Sequence, residues 1–361
     1  MKIGIVGLPN VGKSTLFNAL TGASVETCNY PFCTISPNTG IVDVPDKRID
    51  FLKLFYKAQN TIKTKVEFVD IAGLIKGASL GEGLGNKFLQ NIKESDAIVH
   101  VVRCFQDRSI THVMGDVNPV RDIETVNTEL ILADLESMIK KFDRLKRSNK
   151  TVACDNIKFV ERIINHLNNG NPIRTMPLQD NIEAYFLKSC CLLTEKPVLY
   201  VSNVDESSMY DINNQYIKQM QIFAQKDQTY SIQICSKIEE EVSKLTGADR
   251  NFFLNEFGLH EPGLNTLITS SYKLLNLITF FTAGEKEVRA WGIKNGSFII
   301  DAANMIHSDF KRGFICAMIM SYDDLFKFKN EIILRNNGLI RTEGKDYLVH
   351  DGDIVYFRFN V

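Results

Sequence analysis

The sequence predicts an α/β fold: a parallel sheet with helices on both faces, interrupted by a helical hairpin and followed by a small β-rich domain. Three observations carry this. Apolar runs at residues 3–6, 66–69, 97–102, 198–201 and 231–235 are separated by helix-length segments, the alternation of a sheet covered on both sides. Between residues 102 and 198 the apolar positions change to helical spacing. From about residue 279 they change again, to short alternating runs.

The first run, Lys2-Ile3-Gly4-Ile5-Val6, reads as a buried strand and leads into Gly7-Leu8-Pro9-Asn10-Val11-Gly12-Lys13-Ser14-Thr15. Those nine residues fit the phosphate-binding pattern of Gly, four residues, then Gly-Lys-Ser/Thr. Leu16, Phe17, Ala19 and Leu20 follow with helical spacing, so the glycines lie between a strand end and a helix N-terminus, where backbone N–H groups converge on an anion. Lys13 is expected to reach the β- and γ-phosphates, and the Ser14 hydroxyl to ligate Mg²⁺, a cation held by few protein oxygens plus phosphates. In Tyr30-Pro31-Phe32-Cys33-Thr34-Ile35, Thr34 stands where a switch threonine closes over Mg²⁺.

Asp70-Ile71-Ala72-Gly73 follows the run at 66–69 and fits the Asp-x-x-Gly of phosphate-loop hydrolases. Asp70 is expected to hold Mg²⁺ through water, and the Gly73 N–H to sense the γ-phosphate. Gly73, Gly77, Gly81, Gly83 and Gly85 make this stretch inexpensive to reshape, as expected of a segment ordered by γ-phosphate and released on hydrolysis. Leu74 occupies the position where Ras-like enzymes place the glutamine that orients water. Another group must position water, or turnover is slow. Asn10 is a candidate to hold a monovalent cation, and His112, in a polar stretch after the run at 97–102, is a candidate catalytic residue.

Ile131, Leu135, Met138, Phe142 and Leu145 repeat at 4-3-4-3 spacing, and Ile157, Val160, Ile164 and Leu167 continue it before Gly170. This predicts a hairpin of two helices, with a third helix at about 178–193 returning the chain. At its tip Lys140, Lys141, Arg144, Lys146, Arg147 and Lys150 crowd together with only Asp143 opposing. A solvated helix end and a contact to an RNA phosphate backbone both fit this charge.

Asn203-Val204-Asp205-Glu206 stands where a guanine reader has Asn-Lys-x-Asp. The reading Asp accepts bonds from guanine N1–H and the 2-amino group, neither of which adenine has. Here the carboxylate is one methylene longer and Val204 removes the lysine stem that packs on the base. The geometry for guanine is spoiled, leaving adenine tolerated. Cys235-Ser236 is expected to supply a second base contact through backbone.

Beyond residue 279, alternating runs lie at 288–293, 314–320, 347–349 and 354–359, the last two flanking the tight-turn signature His350-Asp351-Gly352-Asp353. With 361 residues, 44% of them hydrophobic, two or three domains are expected. The net charge of −1 excludes a uniformly basic, nucleic-acid-coating surface. Eight cysteines without metal-ligand spacing read as reduced thiols. No apolar run approaches the length of a membrane span, and the first strand begins at once, leaving no room for a signal peptide. A cytoplasmic location is expected, with a nuclear fraction left open.

Together, GLPNVGKST (7–15), YPFCTI (30–35), DIAGLIKGASLGEGLGNKFL (70–89), NVDE (203–206), FFTAGEKEVRAW (280–291), DFKRGFI (309–315) and DGDIVYFRFNV (351–361) resemble the YchF or Obg-like ATPase subfamily from end to end. The resemblance implies a Ras-like P-loop NTPase domain at 1–258 with a coiled-coil insert at about 121–195, a connecting helix at 259–277, and a ubiquitin-like β-grasp (TGS) domain at 278–361. It implies preference for ATP over GTP, association with ribosomes, and a link to translation and stress responses. By matching positions it puts nucleotide contacts on Asn10, Val11, Gly12, Lys13, Ser14, Thr15 and Val204, and Mg²⁺ on Ser14 and Thr34. It also puts the family's catalytic histidine on His112, and suits potassium dependence to Asn10. Asn203, Glu206 and Ser236 complete the expected base site. Lys237 departs from the pattern, which usually has a small or apolar residue there, and is similar to the Ser-Ala-Lys of GTPases. Three functional readings stay open: an Mg²⁺-dependent ATPase with weaker GTPase activity, a nucleotide-gated module that docks on the ribosome with incidental hydrolysis, and a GTP-preferring GTPase.

Overall fold

A computed structural model describes residues 1–22, 38–71, 84–147, 153–211 and 213–360. Two compact units emerge, Met1–Val42 with Glu67–Leu267, and Asp43–Val66 with Ile268–Val361. Strands β1 (Lys2–Val6), β2 (Thr39–Asp43), β3 (Asn60–Ile62), β4 (Lys65–Asp70), β5 (Ala97–Arg103), β6 (Val198–Asn203) and β7 (Ser231–Ile234) occur in that order. All but β3 form one sheet, ordered β2-β4-β1-β5-β6-β7. The pairs β1–β4, β1–β5, β5–β6 and β6–β7 are parallel, as the apolar runs predict. Every residue of β5 and of β6 is buried, which is why these strands read as continuous apolar runs.

Register aligns the carboxyl ends. Ile5 lies beside Asp70, Arg103 beside Asn203, and Asn203 beside Ile234. The loops that leave β1, β4, β5, β6 and β7 therefore start at one edge, where ligands collect in such sheets.

The hairpin consists of helices Pro119–Arg147 and Ala153–Asn168. Ile131, Met138, Phe159, Val160, Ile163 and Leu167 interlock along it, flanked by Leu135, Phe142, Leu145 and Ile164. Helix Asn181–Cys190 adds Leu187 to this core, and the Asp180 side chain caps its start by accepting from the Glu183 amide. Part of the basic tip is engaged by the hairpin and the third helix. Lys140 pairs with Glu136, Lys141 lies over the Phe186 ring with its ammonium 3.0 Å from Cys190 Sγ, and Lys146 lies over Phe142. Lys150 lies outside the described residues.

In the other unit, β8 (Leu277–Ala283), β9 (Glu287–Lys294), β10 (Phe314–Ser321), β11 (Arg341–Glu343) and β12 (Asp353–Phe359) form a mixed sheet with β3, ordered β11-β10-β12-β8-β9-β3. Successive side chains take opposite faces. Phe280, Ile319 and Val355 pack under helix Ile299–Ile306, a β-grasp arrangement. Phe281, Met320 and Ile354 pack on the other side with Ile49 and Leu52 of helix Arg48–Tyr56.

That helix and β3 come from residues 43–66, which the sequence boundary of 1–258 assigns to the nucleotide-binding domain. In the structure they complete the C-terminal unit, β3 adding a parallel edge to β9 from Asn60 beside Glu287 to Ile62 beside Arg289. The run at 347–349 is also not the hairpin partner of β12. It makes a single bridge, Leu348 to Phe298, because both edges of β12 are taken by β10 and β8. Among the described residues, Cys104, Cys190, Cys191, Cys235 and Cys316 are free thiols, and no helix is long and apolar enough to cross a membrane.

Candidate functional site

The loop between β1 and helix Lys13–Gly22 turns on residues that tolerate unusual backbone. Gly12 has φ +97°, and a Cβ there would stand 2.3 Å from Asn203 Nδ2, so only glycine fits. Asn10 adopts φ +61°, a left-handed conformation in which Asn is among the better tolerated residues. Its Nδ2 donates to the Thr111 carbonyl at 3.2 Å. Leu16, Phe17, Ala19 and Leu20 bury one face of the helix and fix its N-terminus at the sheet edge.

Lys13 is buried, 7% exposed. Its ammonium donates to the Gly7 carbonyl at 3.0 Å and the Leu8 carbonyl at 2.6 Å, so the loop's own backbone satisfies it. Burial lowers its pKa to about 8, against the opposing charge of Asp70. Ser14 Oγ donates to Asp70 Oδ2 at 3.3 Å. Asp70 Oδ1 is buried without a hydrogen-bond partner among the described residues, and burial raises the Asp70 pKa. An orphaned carboxylate oxygen beside a serine hydroxyl fits Mg²⁺, which seeks hard oxygen ligands. Thr15 follows within the same first helical turn. Thr34 and Gly73 lie outside the described residues, as does Leu74.

Across the edge, Asn203 is buried at the end of β6. Its Nδ2 donates to the Val11 carbonyl at 2.8 Å, and its Oδ1 accepts from the Ser236 amide at 3.0 Å. One carboxamide thus ties the phosphate loop to the start of helix Ser236–Ser243. Val204 is buried, its amide bonded to the Ile234 carbonyl at 2.9 Å, so its side chain does not stand out from the edge as a lysine stem would. Ser236 Oγ is buried without a hydrogen-bond partner among the described residues. Glu206 is exposed, and its Oε1 lies 2.8 Å from Lys237 Nζ.

Arg103 folds the loop after β5. Its buried guanidinium donates to the carbonyls of Phe105, Asp107 and Ile110 at 3.0–3.1 Å, which satisfies a charge that would otherwise be costly to bury. The loop delivers Thr111 to Asn10. His112, next in sequence, is 7% exposed. Its Nδ1 accepts from the Met114 amide at 3.2 Å, so Nε2 carries the proton and donates to Asp122 Oδ2 at 2.9 Å. Burial raises the Asp122 pKa while His112 opposes it. Both ring nitrogens are thus committed, on a loop bonded to the phosphate loop.

The structure therefore gathers Asn10, Val11, Gly12, Lys13, Ser14, Asp70, Asn203 and Ser236 along one edge. Sequence reasoning missed three features: the tether of Asn10 to Thr111, the partnership of His112 with Asp122, and the pairing of Glu206 with Lys237. The last carried a signal, since both residues break the expected pattern. The other two carried none.

Comparison with known proteins agrees along the whole length. A family model described as a 50S ribosome-binding GTPase matches residues 2–133. The YchF-GTPase_C model, described as a protein of unknown function, matches residues 277–360. The chain is 50% identical to the ribosome-binding ATPase YchF of Pasteurella multocida over 363 residues, covering 100% of this chain and 99% of the relative. It is 47% identical to that of Bacillus subtilis, covering 99% of each. Its fold is similar to that of the Schizosaccharomyces pombe YchF GTPase, with a TM-score of 0.90 and 36% identity over 99% of this chain and 97% of the other. A GTP-binding protein from Pyrococcus horikoshii, 22% identical with a TM-score of 0.63 over 100% of both chains, shares the fold. With this identity and this fold sustained from end to end, the chain belongs to the YchF family.

Proposed function

We propose that the chain is a nucleoside triphosphatase that hydrolyses ATP, and GTP more weakly, as a nucleotide-dependent switch at the ribosome. The observation that carries the chemistry is the buried Lys13 ammonium, held on the Gly7 and Leu8 carbonyls at a helix N-terminus beside the Ser14–Asp70 pair. A cation desolvated in this way is strengthened for any anion that enters. On binding, Lys13 turns from the two carbonyls to the β- and γ-phosphates, while the amides of residues 10–15 cradle the rest.

Ser14 and Asp70, with Thr34 and Gly73 from the flanking segments, would hold Mg²⁺ and the γ-phosphate. The ion held there would supply positive charge to offset that of the phosphates. Asn10 is the residue assigned to K⁺. Base contact falls to Asn203, Val204, Glu206 and the Ser236 backbone. His112 is assigned to water positioning, which requires its ring to leave Asp122, so resting turnover is slow. Ribosome docking rests on the names of the relatives, and Arg144 and Arg147 at the hairpin tip are the side chains for an RNA phosphate backbone.

Titration of the purified protein with labelled ATP competed by GTP, with and without K⁺, followed by phosphate release, tests the reading. ATP should bind more tightly than GTP, and hydrolysis should require Mg²⁺ and rise with K⁺. GTP binding more tightly would make it a GTPase instead. Co-sedimentation with ribosomes in ATP, ADP and no nucleotide tests the switch, which requires binding to differ between at least two states.

A further inference from the structure

Glu206 breaks the guanine-reading pattern and Lys237 departs from that of the YchF family, and the structure joins the two. Lys237 Nζ lies 2.8 Å from Glu206 Oε1. Glu206 lies in the turn after β6 and Lys237 in the first turn of helix Ser236–Ser243 after β7, and the two segments are held together by the bond from the Ser236 amide to Asn203 Oδ1 at 3.0 Å. Both side chains are exposed, at 71% and 44%, so no core packing forces them together. Their opposite charges do. The hydrogen bond and charge of Glu206 also raise the Lys237 pKa, and a lysine is charged throughout the neutral range in any case.

We propose that Lys237 is a specificity residue, setting the purine preference by holding and neutralising the Glu206 carboxylate. This rests on the reading of the edge as a nucleotide site. Guanine presents two donors, N1–H and the 2-amino group, to which a free carboxylate is attractive. Adenine presents the N1 lone pair, which a free carboxylate repels. Paired to an ammonium, Glu206 loses much of its pull on guanine and its repulsion of adenine. Lys237 thus compensates for retaining an acid at this position.

The test measures ATP and GTP affinities by displacement of a fluorescent ATP analogue from the full chain. It compares wild type, Lys237→Met, Glu206→Gln and the double variant, at about 50 and about 500 mM salt. Methionine keeps the aliphatic stem and removes the charge. Lys237→Met should lower the ATP-to-GTP affinity ratio about fivefold, the scale of an exposed ion pair. In the Glu206→Gln background it should change nothing, because the partner charge is gone. High salt should lower the ratio in wild type and leave Lys237→Met unaffected.

An unchanged ratio in Lys237→Met, equal weakening of both nucleotides, or an effect that persists in the Glu206→Gln background overturns the inference alone. Wild type binding neither nucleotide overturns it together with the nucleotide reading.

Discussion

Asn203 Nδ2 donates to the Val11 carbonyl at 2.8 Å, joining residues 192 positions apart in sequence, while the same carboxamide accepts from the Ser236 amide. The phosphate loop and the strand edge proposed to read the base therefore share one buried side chain. Asn203→Ala would strand a buried carbonyl and a buried N–H, at about 1–3 kcal/mol. It should lower the melting temperature and weaken ATP about tenfold or more. Gly12→Ala drives a methyl group into the same carboxamide at a backbone φ of +97° and should abolish binding. An Asn203→Ala variant with unaltered melting and affinity would remove the tether from the account.

Protonation of Lys13 makes a second prediction. Its folded pKa of about 8 lies below the ordinary lysine value of 10.5. Keeping it charged below pH 8 therefore costs stability, and that cost is relieved as pH rises from about 8 towards 10.5. Binding has the opposite sign, since a polyphosphate favours the charged form. ATP affinity should be flat between about pH 7 and 8, then fall by up to about tenfold per unit, with proton uptake on binding. Calorimetry in buffers of different ionisation enthalpy reads that uptake directly; none above pH 8 would contradict the burial argument.

The bond from His112 to Asp122 makes a third. If the ring must be released to act, His112→Ala should cut hydrolysis by about a hundredfold with little change in ATP affinity. Asp122→Asn keeps an acceptor for Nε2–H but removes the charge, so it should spare the melting temperature and speed single-turnover hydrolysis a few-fold. A slower Asp122→Asn enzyme would make Asp122 an orienting group for the histidine and not a restraint on it.

Arg48 makes a fourth, in the C-terminal unit. Its guanidinium bonds Asp46 and Asp351 and lies over the Phe281 ring, while Asp351 also accepts from the Thr279 amide. Arg48→Ala should destabilise this unit by about 1–3 kcal/mol. The protein's one tryptophan, Trp291, lies in β9 of the same unit, so its fluorescence follows that melting selectively. An unshifted Trp291 transition would show that residues 46–48 are not needed there.

The parts legible in sequence were those written in local pattern. β5 and β6, buried throughout, announce themselves as apolar runs, the hairpin by its 4-3-4-3 spacing, and the phosphate loop by residues that its backbone demands. What was not legible depends on neighbours chosen at long range. Asn60–Ile62 is too short to read as a strand and finds its partner more than 220 residues away in β9. The Tyr347-Leu348-Val349 run looks like a strand, but β12 already has both edges filled. Asp122 is an ordinary first-turn acid on its helix until the fold brings His112 to it. Lys237 and Glu206 each read as a departure, and become a pair only because β6 and β7 are adjacent.

The central claim is that a triphosphate sits on the loop of residues 10–15 with its purine at residues 203–206 and 236. Its most direct test is a crystal structure of the protein with Mg²⁺ and a non-hydrolysable ATP analogue. The account predicts Lys13 Nζ withdrawn from the Gly7 and Leu8 carbonyls onto the β- and γ-phosphate oxygens, and adenine against Val204 and the Ser236 backbone. Saturating analogue that leaves Lys13 on those carbonyls and this edge empty would contradict it.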